Sequence, residues 1–102
     1  MNKPTIELFS KDTCAPCKTL KHLLAEAGIE FIVVALETMD SDRLEAVRRN
    51  LRTASRNGTP TIPGVCIKAG DTETWISNHG EIDVRPMLAE IQAKLAEVSV
   101  PA

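Results

Sequence analysis

The chain of 102 residues is long enough to bury one hydrophobic core but not two, with 43% hydrophobic and 25% charged residues. Its net charge of −2 gives no electrostatic reason to expect nucleic acid or an acidic membrane surface as a partner. No segment approaches the roughly 20 apolar residues of a membrane span, and the N-terminus has no apolar run typical of a signal peptide. We therefore expect a single domain over residues 1–102 that works in the cytoplasm, unless a leader has been removed. We also expect a monomer.

The first 28 residues predict a strand followed by a helix. In TIELFS, Ile6 and Leu8 alternate with Thr5 and Glu7, which is typical of a strand that turns one apolar face inward. Residues 16–27 then have apolar positions at helical spacing, and Gly28 suits the left-handed conformation that ends many helices. The apolar positions of this predicted helix are Leu20, Leu23, Leu24 and Ala27.

The middle of the chain predicts a second strand and a second helix. The run FIVV at residues 31–34 combines aromatic and β-branched side chains, a pattern typical of a central strand covered on both faces. The cluster DSD at residues 40–42, with Glu45 three residues beyond it, predicts the start of the second helix. Residues 52–63 contain an Asn-Gly pair and two prolines, which predict a loop or a fraying helix end. The buried stripe of the second helix is expected to consist of Leu44, Val47 and Leu51.

The last third predicts a hairpin and a closing helix. The hairpin joins residues 65–68 to residues 74–77 through a turn at Gly70 and Asp71. The order β-α-β-α-β-β-α, with a right-handed crossover between two parallel strands, predicts an α/β fold with a four-stranded mixed sheet and helices on both faces. The buried face of the closing helix is expected to carry Val84, Met87, Leu88, Ile91, Leu95 and Val98.

Cys14 and Cys17, in the stretch KDTCAPCK, lie where the first strand passes into the first helix. Side chains three residues apart share a helix face, with about 5–6 Å between Cβ atoms, so a disulfide can open and close with little backbone movement. The positive end of the helix and the flanking Lys11 and Lys18 favour thiolate over thiol at Cys14. We therefore predict that Cys14 attacks a substrate disulfide and that the more covered Cys17 resolves the mixed disulfide.

Two other uses of the cysteine pair are open at this point. A structural zinc site needs four ligands, usually as two close pairs, and the remaining candidates Cys66, His22 and His79 form no second close pair. A purely structural bridge is uncommon in a reducing compartment, where a close pair is more often catalytic or metal-binding. The sequence therefore favours a redox pair and no metal site.

Three motifs, in this order, resemble those of the glutaredoxin family. FSKDTCAPC (residues 9–17) is similar to the opening strand, lysine and Cys-x-x-Cys pair of that family. TIPGVCI (residues 61–67) resembles its Thr-Val-Pro-x-Val-Phe-Ile segment, whose proline follows a cis peptide bond. HGEIDV (residues 79–84) resembles its Gly-Gly-x-x-Asp-Leu turn before the last helix. A lone Cys-x-x-Cys would be a weak signal, but these three landmarks together span most of the chain.

The resemblance implies a thioredoxin-like fold, no tightly bound cofactor, and glutathione as co-substrate beside disulfide-containing proteins. By position, the lysine of the first motif would meet a carboxylate of glutathione. The backbone of residues 61–63 would face the tripeptide beside Cys14, and the last motif would hold its γ-glutamyl end. The glutathione-binding positions implied in this way are Lys11, Thr61, Ile62, Pro63, Gly80 and Asp83.

The motifs also differ from the usual glutaredoxin pattern. The stretch Cys-Ala-Pro-Cys-Lys is more similar to the thioredoxin Cys-Gly-Pro-Cys-Lys than to the glutaredoxin Cys-Pro-Tyr-Cys. His79 stands where the family has the first glycine of its Gly-Gly turn. The Thr59-Pro60 bond is a second candidate for the cis peptide, and Pro63 is preferred because GVCI follows it in the expected register.

The remaining candidates receive mainly structural interpretations. Cys66 lies in an apolar strand and is expected to be buried, and Trp75 is expected to contribute to strand packing. Four arginines between residues 48 and 56 are typical of a solvated helix face. Because they lead into the loop before the expected cis-proline, we hypothesise that Arg52 or Arg56 meets the glycine carboxylate of glutathione.

We therefore predict a glutathione-dependent thiol–disulfide oxidoreductase that reduces protein or mixed disulfides through Cys14 and Cys17. One alternative is a thioredoxin-like hydrogen donor that a flavoprotein reductase recharges, for example for ribonucleotide reductase. Another is a non-catalytic zinc or iron–sulfur carrier, against which the proline-containing cysteine pair argues. Lys11 points to glutathione, whereas Ala15-Pro16 and Lys18 point to thioredoxin-like chemistry, so the sequence leaves the electron donor open.

Overall fold

The computed structural model describes residues 4–59, 61–79 and 83–99, and these residues have the predicted β-α-β-α-β-β-α order. A short 3₁₀ helix after the second strand is an addition that the sequence patterns did not predict. Within the described ranges, no helix is both long and apolar enough to cross a membrane. In chain order the elements are β1 (Thr5–Ser10), α1 (Ala15–Glu26), β2 (Ile32–Ala35), the 3₁₀ helix (Leu36–Thr38), α2 (Ser41–Ala54), β3 (Gly64–Ala69), β4 (Thr72–Ser77) and α3 (Arg85–Ser99).

The four strands form one mixed sheet in the order β2-β1-β3-β4. β1 and β2 are parallel, whereas β3 is antiparallel to both of its neighbours. The register pairs Ser10 with Ala35, Phe9 with Gly64, and Gly64 with Ser77. The chain therefore leaves β1, β2 and β4, and enters β3, at the same end of the sheet. This end of the sheet brings together the first cysteine motif, the proline segment and the turn before α3.

Helices cover both faces of the sheet, as the α/β prediction requires. α1 and α3 lie on one face, where the buried cluster consists of Ile6, Leu8, Leu20, Leu24, Val65, Ile67, Ile76, Val84, Met87 and Ile91. α2 lies on the other face, where a smaller cluster consists of Phe9, Leu36, Val47, Leu51 and Cys66. Trp75 packs against this second cluster and stacks on Phe9, with 5.4 Å between ring centroids and an angle of 11° between planes. The prediction that Trp75 contributes to strand packing is confirmed.

The prediction of a covered central strand at residues 31–34 is wrong. β2 spans Ile32–Ala35 and lies at the edge of the sheet, where Ile32 is 55% and Val33 46% exposed. Neither buried cluster contains a fully buried residue of β2, and no β2 side chain is fully covered. A run of β-branched residues thus indicated a strand through its backbone preference, but it carried no information about the position of that strand in the sheet.

Two smaller expectations also need correction. Glu7 does not point to solvent, because its side chain lies on the α2 face and is only 15% exposed. It is held there by Lys68, 3.1 Å away, and by Arg43, 3.4 Å away. Of the two alternatives predicted from residue 52, a loop or a helix end, the loop begins later and the helix end is correct, since α2 continues through Ala54. The start of α2 is as predicted, because the Asp40 carboxylate accepts a hydrogen bond from the Arg43 N–H at 2.8 Å.

A glycine allows α2 to lie close to the sheet at the end where the three motifs meet. Gly64 is the first residue of β3 and is buried beneath α2. A Cβ atom at this position would collide with both δ-methyl groups of Leu51. Leu51 is itself only 1% exposed, so the packed layer leaves it little room to move. The absence of a side chain at residue 64 therefore sets the distance between α2 and β3.

Candidate active site

Cys14 and Cys17 form a disulfide at the start of α1, with 5.3 Å between their Cα atoms. Cys14 is the N-cap residue of the helix, and its sulfur accepts a hydrogen bond from the Cys17 N–H at 3.2 Å. Pro16 lies in the first turn, where a missing N–H costs nothing. Cys14 is half-buried, whereas Cys17 is fully buried. The two sulfurs therefore differ in access, and only Cys14 lies at the surface.

The loop between β1 and α1 is held by two hydrogen bonds. The Cys14 N–H donates to the Lys11 carbonyl at 3.1 Å, which closes a turn before the helix. The Asp12 N–H donates to the Glu37 carboxylate at 3.2 Å, which ties the loop to the 3₁₀ helix. The unpredicted 3₁₀ helix thus supports the segment that carries Cys14.

Residues 61–63 lie at the same end of the sheet as this loop, as the pairing of Phe9 with Gly64 requires. The Ile62–Pro63 peptide bond is cis, so the preference for Pro63 is confirmed. Pro60, the second candidate, lies outside the described residues. The Ile62 carbonyl accepts a hydrogen bond from the buried side-chain amide of Asn78 at 3.0 Å.

A groove of about 360 Å³ lies on the α2 side of residues 61–63, and we call it the basic groove. Two cations, Lys11 and Arg48, and one carboxylate, Glu37, line it together with six apolar side chains. Within the described part of the chain, neither cation has an ion-pair partner. The groove is therefore suited to an anionic ligand that also has an extended apolar surface. Its lining residues are Lys11, Leu36, Glu37, Met39, Leu44, Val47, Arg48, Leu51 and Ile62.

The arginine in the basic groove is Arg48, which the sequence patterns did not single out. Arg52 is not among the lining residues, and Arg56 lines a different groove. Helical spacing contains the signal that was missed. Arg48 is four residues after Leu44 and three before Leu51, so it shares their side of α2.

A second groove, of about 440 Å³, lies between the ends of β4 and α2 and the start of α3, and we call it the polar groove. Asp83 lies here, and its carboxylate accepts hydrogen bonds from the Arg85 backbone N–H at 3.0 Å and from the Arg85 guanidinium at 2.9–3.0 Å. These bonds lower the pKa of Asp83 to about 2. Gly80, the other residue expected at the γ-glutamyl end, lies outside the described residues. The lining residues are Ala54, Arg56, Ser77, Asn78, His79, Asp83, Pro86, Met87 and Glu90.

Cys66, the third cysteine, is fully buried in the cluster beneath α2, as predicted. Burial raises the pKa of its thiol to about 12, with a further increase from the charge of Glu73. A thiol of this kind stays protonated and unreactive near neutral pH. Among the described residues, no group of three or more His, Cys, Asp and Glu side chains is arranged to hold a metal ion.

The chain is similar to known proteins over most of its length. The family model described as Glutaredoxin matches residues 6–70. A protein of Ricinus communis named "Glutaredoxin" is 31% identical over 91 residues, in an alignment that covers 86% of this chain and 85% of that protein. The fold, the closely spaced cysteine pair and these matches lead to one conclusion. The chain belongs to the glutaredoxin family and is a thiol–disulfide oxidoreductase.

Proposed function

We propose that this protein reduces mixed disulfides and protein disulfides through Cys14 and Cys17, with glutathione as the electron donor. The observation that carries the proposal is the unequal exposure of the two sulfurs at the start of α1. Lys11, three residues before Cys14, lines a groove together with a second cation, Arg48. A surface sulfur at a helix N-terminus is suited to attack, and a buried sulfur one turn further on is suited to resolve.

The cycle conserves electrons within the thiols. The Cys14 thiolate attacks one sulfur of the substrate disulfide, and the other substrate sulfur leaves as a thiol. The Cys17 thiolate then attacks Cys14 in the mixed disulfide, which releases the second substrate sulfur and forms the Cys14–Cys17 disulfide. One glutathione thiolate then attacks Cys14, which forms a Cys14–glutathione disulfide and releases the Cys17 thiolate. A second glutathione attacks this mixed disulfide, which releases glutathione disulfide and regenerates the Cys14 thiolate. No tightly bound cofactor is needed, and a reducing cytoplasm would supply the thiols.

The basic groove supports the choice of glutathione. Glutathione carries two carboxylates, one on its glycine and one on its γ-glutamyl residue. Lys11 and Arg48 offer positive charge for the glycine carboxylate, and the backbone of residues 61–63 offers hydrogen-bonding groups for the extended tripeptide. The γ-glutamyl end would then reach towards Gly80 and Asp83. Because the Asp83 carboxylate already binds Arg85, it would contact the ligand through its remaining lone pairs.

Turnover of a glutathionylated peptide, with glutathione and glutathione reductase, tests the proposal. Cys14→Ser should abolish turnover, because serine is not a nucleophile at this position. Cys17→Ser should retain part of the turnover, since glutathione itself can release the substrate from Cys14. Cys66→Ser serves as the matched control and should retain full activity, because its thiol is buried and protonated.

Two outcomes would contradict the proposal. Wild-type protein that does not turn over the glutathionylated peptide would exclude glutathione as the donor. Turnover that survives Cys14→Ser but not Cys17→Ser would reverse the two roles.

A second candidate is a thioredoxin-like donor that a flavoprotein reductase recharges, with disulfide enzymes such as ribonucleotide reductase among its substrates. The observation that favours it is the Asp83–Arg85 pair, which occupies the carboxylate expected at the γ-glutamyl end of glutathione. The Cys-Ala-Pro-Cys-Lys sequence points the same way. Reduction of the Cys14–Cys17 disulfide by NADPH and thioredoxin reductase, with no reduction by glutathione, would select this candidate.

A further inference from the structure

The end of β4 is hydrogen-bonded to the segment that precedes β3. The Asn78 side-chain amide donates to the Ile62 carbonyl at 3.0 Å, and Asn78 is only 5% exposed. The hydroxyl groups of Ser77 and Thr61 lie 2.8 Å apart, and Ser77 is 1% exposed. Both contacts join residues 16 positions apart in the chain. Residues 61 and 62 are thus each attached to β4 by a buried polar side chain.

The backbone that carries Asn78 is itself held on its other side. His79 has a φ of 57°, in the left-handed region that residues other than glycine seldom adopt. Its N–H donates to the Ser77 hydroxyl at 3.1 Å, and its Nδ1 accepts from the Arg56 N–H at 3.0 Å. Its carbonyl accepts from the Asn57 side-chain amide at 3.0 Å. These bonds connect the end of β4 to the loop after α2, so Asn78 is attached to a fixed support.

The bond to Ile62 has a geometric consequence for the backbone beside Cys14. A peptide group is planar, so a bond that holds the Ile62 carbonyl oxygen restricts the orientation of the whole plane between Ile62 and Pro63. The Thr61 hydroxyl restrains the preceding residue in the same way. An apolar residue of similar size at position 78 could fill the same space, but it could not hold this carbonyl. The amide of Asn78 therefore restrains the direction of the Ile62 carbonyl, which packing alone would not do.

We propose that Asn78 is a positioning residue for the disulfide substrate, through the Ile62 backbone that it orients. This inference rests on the proposed function, in which the backbone of residues 61–63 pairs with glutathione beside Cys14. One lone pair of the Ile62 carbonyl is taken by Asn78, and the direction of that bond sets where the other lone pair points. Asn78 thus acts on substrate affinity from inside the protein, without a contribution to the chemistry of the sulfurs.

Steady-state kinetics with a glutathionylated peptide separate this role from a general structural one. Asn78→Leu should raise KM for the peptide about three- to tenfold, the loss expected when one hydrogen bond no longer orients the binding backbone. The kcat and the rate at which iodoacetamide alkylates reduced Cys14 should stay within about twofold of wild type, because the sulfurs are unaffected. Asn50→Leu, at a partly buried position on α2, is the matched control and should leave all three values unchanged.

Asn78→Asp provides a rescue within one variant, because aspartate has nearly the same shape as asparagine. A protonated carboxyl donates to the Ile62 carbonyl, whereas an ionised carboxylate repels it. The ratio of KM in this variant to KM in wild type should therefore be near one at acidic pH and should increase with pH. The charged and titratable groups that line the same groove are present in both proteins, so their effects cancel in the ratio: Arg56, His79, Asp83 and Glu90.

The possible results distinguish this inference from the proposed function. An active wild type with an unchanged KM in Asn78→Leu overturns the role of Asn78 and leaves the proposed function standing. An equal loss of kcat, alkylation rate and KM indicates general damage and also overturns it. If Asn78→Leu does not fold, a pH-independent KM ratio in Asn78→Asp is by itself enough to overturn the role of Asn78. A wild type that does not turn over the glutathionylated peptide removes both proposals.

Discussion

The two grooves beside residues 61–63 use polar groups in opposite ways. In the basic groove, Lys11 and Arg48 stand over apolar walls and have no ion-pair partner among the described residues. In the polar groove, the polar side chains bind other parts of the protein: Asn78 holds a carbonyl, and Asp83 holds Arg85. The cations of the basic groove are thus left available, whereas Asn78 and Asp83 in the polar groove are used in bonds within the protein.

The two grooves are therefore expected to contribute differently to ligand binding: one through its charge, the other through the backbone geometry that it maintains. An anionic ligand gains most from cations that have no partner in the free protein, because no existing bond has to be broken. The polar groove offers less of this kind of gain, but it determines the direction in which the backbone of residues 61–63 presents its groups. We expect substitutions in the basic groove to change the electrostatic attraction of an anionic ligand. Substitutions in the polar groove should change how well the backbone of residues 61–63 is oriented for the ligand.

The largest expected effect comes from removing the two cations of the basic groove. The double substitution Lys11→Gln and Arg48→Gln should raise KM for a glutathionylated peptide by about ten- to a hundredfold, since each cation is expected to bind the same carboxylate. The kcat should change little. Arg49→Gln removes a charge from the neighbouring position outside the groove and is the matched control. A double variant that behaves like Arg49→Gln would show that the groove does not bind the ligand.

Moving one wall of the basic groove should have the next largest effect. Gly64→Ala places a Cβ against the δ-methyl groups of Leu51, so it should lower the free energy of unfolding by about 1–3 kcal/mol. Urea unfolding measures this change. Adding Leu51→Ala should make the cost of Gly64→Ala much smaller, because the colliding atoms are then gone. Equal costs of Gly64→Ala with and without Leu51 would contradict the steric explanation.

The polar groove can be tested by acid titration of stability. The bonds from Arg85 lower the pKa of Asp83 from 3.8 to about 2, so the folded state favours the ionised carboxylate. Its contribution to stability is present above about pH 3.8 and is lost as the pH falls towards 2. Urea unfolding of wild type and Asp83→Asn should therefore differ at pH 6 and converge near pH 2. A difference that is independent of pH would mean that the ion pair contributes nothing.

Substitution of Cys66, which lies in the buried cluster beneath α2 and does not line the basic groove, should have the smallest effect on catalysis. Its thiol should react with iodoacetamide far more slowly than reduced Cys14 at neutral pH, and only unfolding should remove the difference. Because burial raises the pKa of Cys66 from 9.0 to about 12, the folded state favours the thiol, and stability should be lost as the pH rises from 9 towards 12. Cys66→Ala should remove this alkaline loss. Rapid alkylation of Cys66 in the folded protein would contradict its burial.

The sequence predicted the features that depend on local pattern. Helical spacing and a helix start at the cysteine pair were enough to place Cys14 at the start of α1 and Cys17 in the more covered position. The prediction at the cysteine pair needed only neighbours along the chain, because caps and turns are formed by residues close in sequence. The choice of Pro63 over Pro60 came instead from the resemblance of TIPGVCI to the glutaredoxin segment.

The features that the sequence missed depend on how distant segments meet. The FIVV run could not show that β2 lies at the sheet edge, because that position follows from where the helices cover the other strands. Arg48 was passed over in favour of Arg52 and Arg56, although its spacing from Leu44 and Leu51 contained the signal. Nothing in the sequence around Asn78 indicates a bond to Ile62, since the partner is 16 residues away on another segment.

The N-cap position of Cys14 has a consequence for the helix that it begins. In the structure the sulfur that we propose as the attacking atom also accepts a hydrogen bond from a free N–H in the first turn of α1. Serine is among the preferred N-cap residues and alanine is not, so Cys14→Ser removes the nucleophile while it keeps the helix start. Reduction turns a neutral acceptor into one that can carry full negative charge at the positive end of α1. Opening the disulfide should therefore strengthen a bond that already anchors the first turn of α1 in the oxidised protein.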